Sequence, residues 1–154
     1  MLFRSMSATA GRNGQITVQL PSTDLGTSYG SATIIGQVRS WSLDDAVETL
    51  DTTVMDGSAS GFIFRNTTPS FKTWTITVDF IYDASDVTTS DAQFKAGNNA
   101  VVAIYPEGNN TSNDVAISGT GLITSLSRSA SYDGLIECSV TFEGKSALSY
   151  STAS

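Results

Sequence analysis

The sequence has no histidine, one cysteine and three prolines in 154 residues. Without an imidazole, Ser-His and Cys-His nucleophile pairs, histidine acid–base chemistry and His-ligated metals are excluded. A lone cysteine, Cys138, excludes a disulfide within the chain. Charge is scarce as well: Asp, Glu, Lys and Arg make up 15% of the chain, and 15 acids against 8 bases leave a net charge of -7. That balance argues against a clamp on duplex nucleic acid, which needs a basic surface to displace counterions. No apolar run reaches the length of a bilayer span. The opening Met1-Leu2-Phe3-Arg4-Ser5-Met6-Ser7 lacks the apolar core of a secretory signal. A membrane-spanning segment is therefore not expected.

Serine and threonine are the two most abundant residue types. A chain rich in hydroxyls and poor in charge reads as sheet and turn, because a helical bundle would favour Ala, Glu, Lys and Leu. Alternation is the dominant pattern. From Phe71 to Tyr82, Trp74, Ile76, Val78, Phe80 and Tyr82 fall on one face, and Thr73, Thr75, Thr77 and Asp79 on the other. From Leu135 to Glu143, Ile136, Cys138, Val140 and Phe142 alternate with Glu137, Ser139, Thr141 and Glu143. Each strand thus has an apolar face and a wet face, as in an antiparallel sheet covered on one side. Shorter strands are expected at Ile16–Leu20, stopped by Pro21, and at Thr33–Leu43, interrupted at Gly36. Another falls at Ala100–Tyr105, and a long one at Val115–Leu126, bent at Gly119 and Gly121. Asp133-Gly134 signals a turn that pairs the last two long strands as a hairpin.

One short α-helix is expected at about residues 90–97, capped by Thr88, Thr89 or Ser90, with Phe94 inward and Gly97-Asn98 closing it. Asp44 to Leu50 reads either as a second short helix or as a hairpin turn. The result is a mainly β architecture, a β-sandwich or β-barrel, in a single domain over residues 1–154. Its small, polar ends, about 1–14 and 146–154, are expected to be flexible.

No residue set makes a convincing enzyme. Asp44, Asp45, Glu48 and Asp51 crowd one segment, but D-D-x-x-E-x-x-D has neither the spacing nor the glycine of a calcium loop, and a solvated acidic edge explains it better. A glycosidase needs two facing carboxylates, one with a raised pKa, and nothing in the sequence singles out such a pair. Cys138 falls in phase with core residues and has no base beside it. Gly11-Arg12-Asn13-Gly14 lacks the Lys-Ser/Thr of a phosphate loop. Asn66-Thr67-Thr68 and Asn110-Thr111-Ser112 fit a glycosylation pattern that is frequent by chance. Trp41 and Trp74 read as core anchors, with a sugar-stacking role open for Trp41. No catalytic activity, cofactor or metal is expected.

The wet faces carry Thr73, Thr75, Thr77 and Asp79 on one strand and Glu137, Ser139, Thr141 and Glu143 on the other. Such a face repels a polyanion without binding it, which suits a channel through which DNA slides; an ordinary solvated sheet face has the same composition. Asp51 to Ser70 is long for a turn, with Phe62, Ile63 and Phe64 in its middle, and exposed apolar residues in such a loop point to a partner.

Several segments resemble the tail tube proteins of long-tailed bacteriophages and gene transfer agents. Gly119-Thr120-Gly121-Leu122-Ile123-Thr124-Ser125-Leu126-Ser127-Arg128-Ser129, then Asp133-Gly134, then Ile136-Glu137-Cys138-Ser139-Val140-Thr141-Phe142-Glu143-Gly144, looks like that family's closing hairpin. Val38-Arg39-Ser40-Trp41-Ser42-Leu43 and Glu48-Thr49-Leu50-Asp51-Thr52-Thr53 resemble an earlier strand and its turn. Together these cover about half the chain.

The resemblance implies a tail-tube fold, related to the type VI secretion tube protein, in hexameric rings whose inner wall is a β-barrel shared between subunits. The rings would stack into a tube in the virion tail, assembled in the host bacterial cytoplasm. They would meet terminator, tape-measure and baseplate or tip proteins and conduct double-stranded DNA without binding it specifically. On that view Thr73, Thr75, Thr77, Asp79, Glu137, Ser139, Thr141 and Glu143 line the lumen, and Phe62, Ile63 and Phe64 contact a neighbouring subunit or ring. The alternative is a non-enzymatic β-sandwich binding module, a capsid decoration or tail fibre domain, with a site at Trp41 or the Asn-rich loop at 109–113. A carboxylate hydrolase is the third reading.

Overall fold

A computed structural model of the chain describes residues 14–35, 38–53, 65–82, 92–108 and 115–152. They form eight strands: β1 (Gln15–Gln19), β2 (Thr33–Ile34), β3 (Val38–Asp51), β4 (Thr67–Ile81), β5 (Asn99–Tyr105), β6 (Val115–Ser129), β7 (Glu137–Gly144) and β8 (Ser149–Thr152). The order across the sheet is β2-β1-β5-β6-β7-β4-β3, and β8 pairs with β6. Every pairing is antiparallel.

The long strand β6 joins two halves. Ile117–Leu122 pairs with β5, and Gly121–Ser129 pairs with β7. On the edge shared with β7, Val115–Ser118 pairs with β8, so β7 and β8 follow one another along β6. Ser149–Thr152 therefore lies in a strand within the segment read as a flexible end. One core holds both halves. Ile16, Val18, Val102 and Ile104 share a cluster with Ile76, Val78, Phe80, Val140 and Phe142, so the sheet curls until one face meets itself. Each of these apolar side chains contributes about 1.5–3 kcal/mol on full burial.

The curl is set at a glycine slot. The Trp74 indole, only 3% exposed, lies across Gly119, Gly121 and Gly144. A Cβ at Gly119 would stand 2.8 Å from the ring, and one at Gly144 would overlap it. The Trp74 Nε1–H donates to the Ser146 carbonyl at 2.6 Å, which pins the Lys145–Leu148 excursion between β7 and β8.

The helix expected at about 90–97 is not formed: residues 92–97 are a chain of turns, and Ser90 and Asp91 lie outside the described residues. The backbone there makes only turn bonds to itself, Lys95 N–H to the Gln93 carbonyl and Asn98 N–H to the Lys95 carbonyl, and is otherwise held by bonds to Asn98 and the sheet. Asn98, 2% exposed, donates through Nδ2 to the Gln93 carbonyl at 2.9 Å and to Gln93 Oε1 at 3.0 Å, while its Oδ1 accepts the Leu25 N–H at 3.1 Å. Gly97, at φ +98, donates its N–H to the Ile123 carbonyl. Phe94 still faces the core, as expected, with its ring centroid 6.0 Å from that of Phe80.

Asp44 to Leu50 is neither helix nor turn. It continues β3, which pairs with β4 as far as Asp51↔Thr67. Because β7 covers only Thr75–Ile81 of β4, the rest of the β3–β4 hairpin projects as a two-stranded arm. A bulge between Val47 and Thr49 interrupts it, and Val47, Leu50 and Phe71 are exposed along it. Strand alternation separates the acids: Asp45 pairs with Lys72 at 3.1 Å and Asp51 with Arg65 at 2.8 Å. Among the described residues no three Cys, Asp or Glu converge to hold a metal.

Candidate functional site

The outer face of the β3-β4-β7-β6 sheet is built by register. Thr75 stands opposite Glu143, Thr77 opposite Thr141, and Asp79 opposite Ser139. Partners in an antiparallel pair share a face. Thr73, Thr75, Thr77, Asp79, Glu137, Ser139, Thr141 and Glu143 are therefore brought together on one surface, behind the buried Trp74, Ile76, Val78, Phe80, Cys138, Val140 and Phe142.

The same face extends further than the sequence reading took it. On β3, Ser40, Ser42 and Asp44 stand opposite Asp79, Thr77 and Thr75. On β6, Ser125, Ser127 and Ser129 stand opposite Thr141, Ser139 and Glu137. The signal was present as period two in Ser40-Trp41-Ser42-Leu43-Asp44 and Ser125-Leu126-Ser127-Arg128-Ser129. A bulge between Ile123 and Ser125 keeps the serines in phase with β7.

Short hydroxyl side chains make up most of this face, and its charge is biased. Asp44, Asp79, Glu137 and Glu143 are opposed only by Arg39 among the described residues of these four strands. Arg39 projects from the Val38/Ser40 bulge, and its Nη1 meets Glu137 Oε1 at 2.6 Å. Ser40 Oγ donates to Asp79 Oδ2 at 3.0 Å. A shallow groove of about 360 Å³ runs between these groups and Ser127, Ser129 and Ser139. Both partners of the Arg39–Glu137 pair are exposed, so it contributes little to stability. Behind the groove, burial pushes the Cys138 thiol up from its ordinary value, with Arg128 opposing the shift. A buried, protonated thiol is a core residue, not a nucleophile.

The sheet ends in two open edges. No described strand pairs with the outer edge of β3, and none lies against the Thr124–Ser129 stretch of β6 on the side away from β7. Phe62, Ile63 and Phe64, and the Asn-rich loop at 109–113, lie outside the described residues. Trp41 is half-buried and packs against the core.

No family model and no curated protein matches the chain. Solved structures do. The tail of an empty gene transfer agent particle, refined with six-fold symmetry, superposes with a TM-score of 0.61 at 15% identity, covering 94% of this chain and 100% of that one. This chain has the tail-tube fold. The tail tube of phage SPP1 matches at a TM-score of 0.59 and 16% identity, over 94% of this chain and 80% of that one. A chain from the baseplate of the anti-feeding prophage matches at a TM-score of 0.59 and 10% identity, over 97% and 98%. The tail-tube fold spans nearly all of the sequence, both halves of the curled sheet included.

Proposed function

We propose that this chain is a structural, non-enzymatic virion protein that assembles as hexameric rings stacked into a phage or gene-transfer-agent tail tube. The observation that carries the reading is the tail-tube fold combined with a hydroxyl-rich, acid-biased sheet face bounded by two open edges. Unpaired edges are templates for strand addition. Pairing the β3 edge of one subunit with Thr124–Ser129 of β6 in the next continues the sheet around a ring, each subunit contributing four strands. The hydroxyl-rich face then turns inward as the lumen, lined by Thr73, Thr75, Thr77, Asp79, Glu137, Ser139, Thr141 and Glu143.

A wall of short neutral side chains and scattered carboxylates suits the passage of DNA. Its one described arginine, Arg39, is paired with Glu137, and the excess of carboxylates keeps the polyanion off the surface. Rings ending in a tube meet a terminator at one end and baseplate or tip proteins at the other, with a tape-measure protein in the bore during assembly. On this reading the protein is made in the host bacterial cytoplasm and resides in the virion tail. Negative-stain electron microscopy of the purified protein across a concentration series tests it. Rings with a central hole, or tubes, are the expected result. Compact monomers throughout the series, together with particles that lack this protein, overturn it.

A further inference from the structure

At the two ends of β7 lie features that fit each other. The turn between β6 and β7 exposes Tyr132 completely, and Leu135 is 66% exposed beside Asp133 and the half-exposed Ile136. Soluble chains seldom place several large apolar residues at one turn unless a partner covers them. At the other end, where β7 passes into the Lys145–Leu148 excursion, a pocket of about 340 Å³ is floored by the buried Trp74 and walled by Ala147 and Leu148. Lys72 and Lys145 stand at its rim. Lys72 is bridged to Asp45, while the Lys145 ammonium donates to the Asn99 side-chain oxygen and meets no carboxylate among the described residues.

We propose that the Tyr132–Leu135 turn of one copy inserts into the Trp74 pocket of the next, forming the contact between stacked rings. The inference rests on the tail-tube reading and names the surfaces that join one ring to another. Three observations select a second copy as the occupant. The turn presents apolar side chains around a single acid, Asp133, and the pocket presents apolar walls beneath two lysines, one without an acidic partner. Charge complementarity of this kind sets register and orientation more than raw affinity. The features also sit at opposite ends of one strand, separated by about 24 Å over the seven steps from Glu137 to Gly144. A subunit therefore cannot fill its own pocket, and the contact is head-to-tail. A heterologous contact that does not close on itself builds an open filament, with a free turn at one end and a free pocket at the other.

Cysteine cross-linking tests this in the full-length protein with Cys138→Ala removing the native thiol. Leu135→Cys and Ala147→Cys replace exposed residues, and circular dichroism checks that each variant folds. The two positions are too far apart within one subunit for a disulfide, which needs Cα atoms about 4.4–6.8 Å apart. Under oxidation the double variant should give a ladder of covalent oligomers on a non-reducing gel, and each single variant should not. Asp133→Lys should abolish stacking but leave rings, and adding Lys145→Glu should restore tubes. Tubes without a ladder from the double variant overturn this contact and leave the tail-tube reading standing. The absence of rings, tubes and ladder together overturns both.

Discussion

Gly144→Ala tests whether the glycine slot holds the two halves of the sheet in place. The added Cβ would overlap the Trp74 ring, too close to its Nε1, Cε2 and Cδ2 atoms for van der Waals contact. The indole is held in place: it is 3% exposed, stands against Gly119 and Gly121, and is tied through Nε1 to the Ser146 carbonyl, so moving toward the pocket it floors would break that bond. Overpacking a rigid site of this kind costs about 1–3 kcal/mol. For a chain of this length each kcal/mol lowers the melting temperature by roughly 2–4 °C. Urea denaturation followed by circular dichroism measures the cost directly.

A double-mutant cycle then isolates its cause. Trp74→Leu alone is destabilising, since it removes a large buried ring, but it also frees the space the new methyl needs. In the double variant Gly144→Ala should cost at least about 1 kcal/mol less than in the native background, a coupling within the range seen for residues in contact. Strict additivity, or a Gly144→Ala protein with an unchanged midpoint, refutes the slot as the element that sets the curl.

Changing Asp79, Glu137 and Glu143 together to Lys should leave tube assembly intact by electron microscopy while DNA delivery falls, because a basic wall retains phosphates; undiminished delivery would remove these residues from the lumen. Asn98→Ala removes the buried side chain that accepts the Leu25 N–H and donates to Gln93, at about 0.5–1.5 kcal/mol per hydrogen bond lost, and should show a correspondingly lower urea midpoint. The Lys95 ammonium beside Asp24, and hydrogen bonds from Thr53 followed by Arg65 at Asp51, hold both carboxyls below their ordinary value. The folded chain therefore keeps them charged to lower pH than the unfolded chain does. Their contribution is complete above about pH 4 and is lost as pH falls through the folded values. An Asp24→Asn, Asp51→Asn variant should consequently show a shallower loss of stability on acidification; an unchanged acid limb would contradict that.

Much of this fold was legible because one face of each long strand is buried and the other is not. Trp74-Ile76-Val78-Phe80 and Cys138-Val140-Phe142 gave both the strands and the faces, and the face fixes the register once a turn is placed. The eight polar residues singled out on the wet faces do share one surface for that reason. The arm was not legible, because Asp44 to Leu50 and Thr67 to Lys72 are exposed on both faces and carry no alternation to read. Near Phe94 the local cues for capping were real, yet Asn98 and the sheet edge offered the backbone better partners than a short helix could. The pocket over Trp74 was invisible for a different reason. Its floor is Trp74, seated on Gly119, Gly121 and Gly144, whose lack of a side chain matters only once that indole, far away in sequence, lies across them.

The central place of β6 also governs how the chain reaches its native state. Strands that pair are far apart in sequence: Ile16 waits for Ile104, Ile76 for Phe142, and Val115 for Thr152. Closing such long loops before any pairing is gained makes folding slow, and it keeps unpaired strands exposed in the meantime. Neither half can be completed on its own, because β6 belongs to both and is synthesised late. The Thr124–Ser129 edge, the β6–β7 turn and the Trp74 pocket all come into being only when β7 and the excursion after it have docked. If copies join through these surfaces as proposed, a nascent or truncated chain lacks them, and the last steps of folding would license assembly.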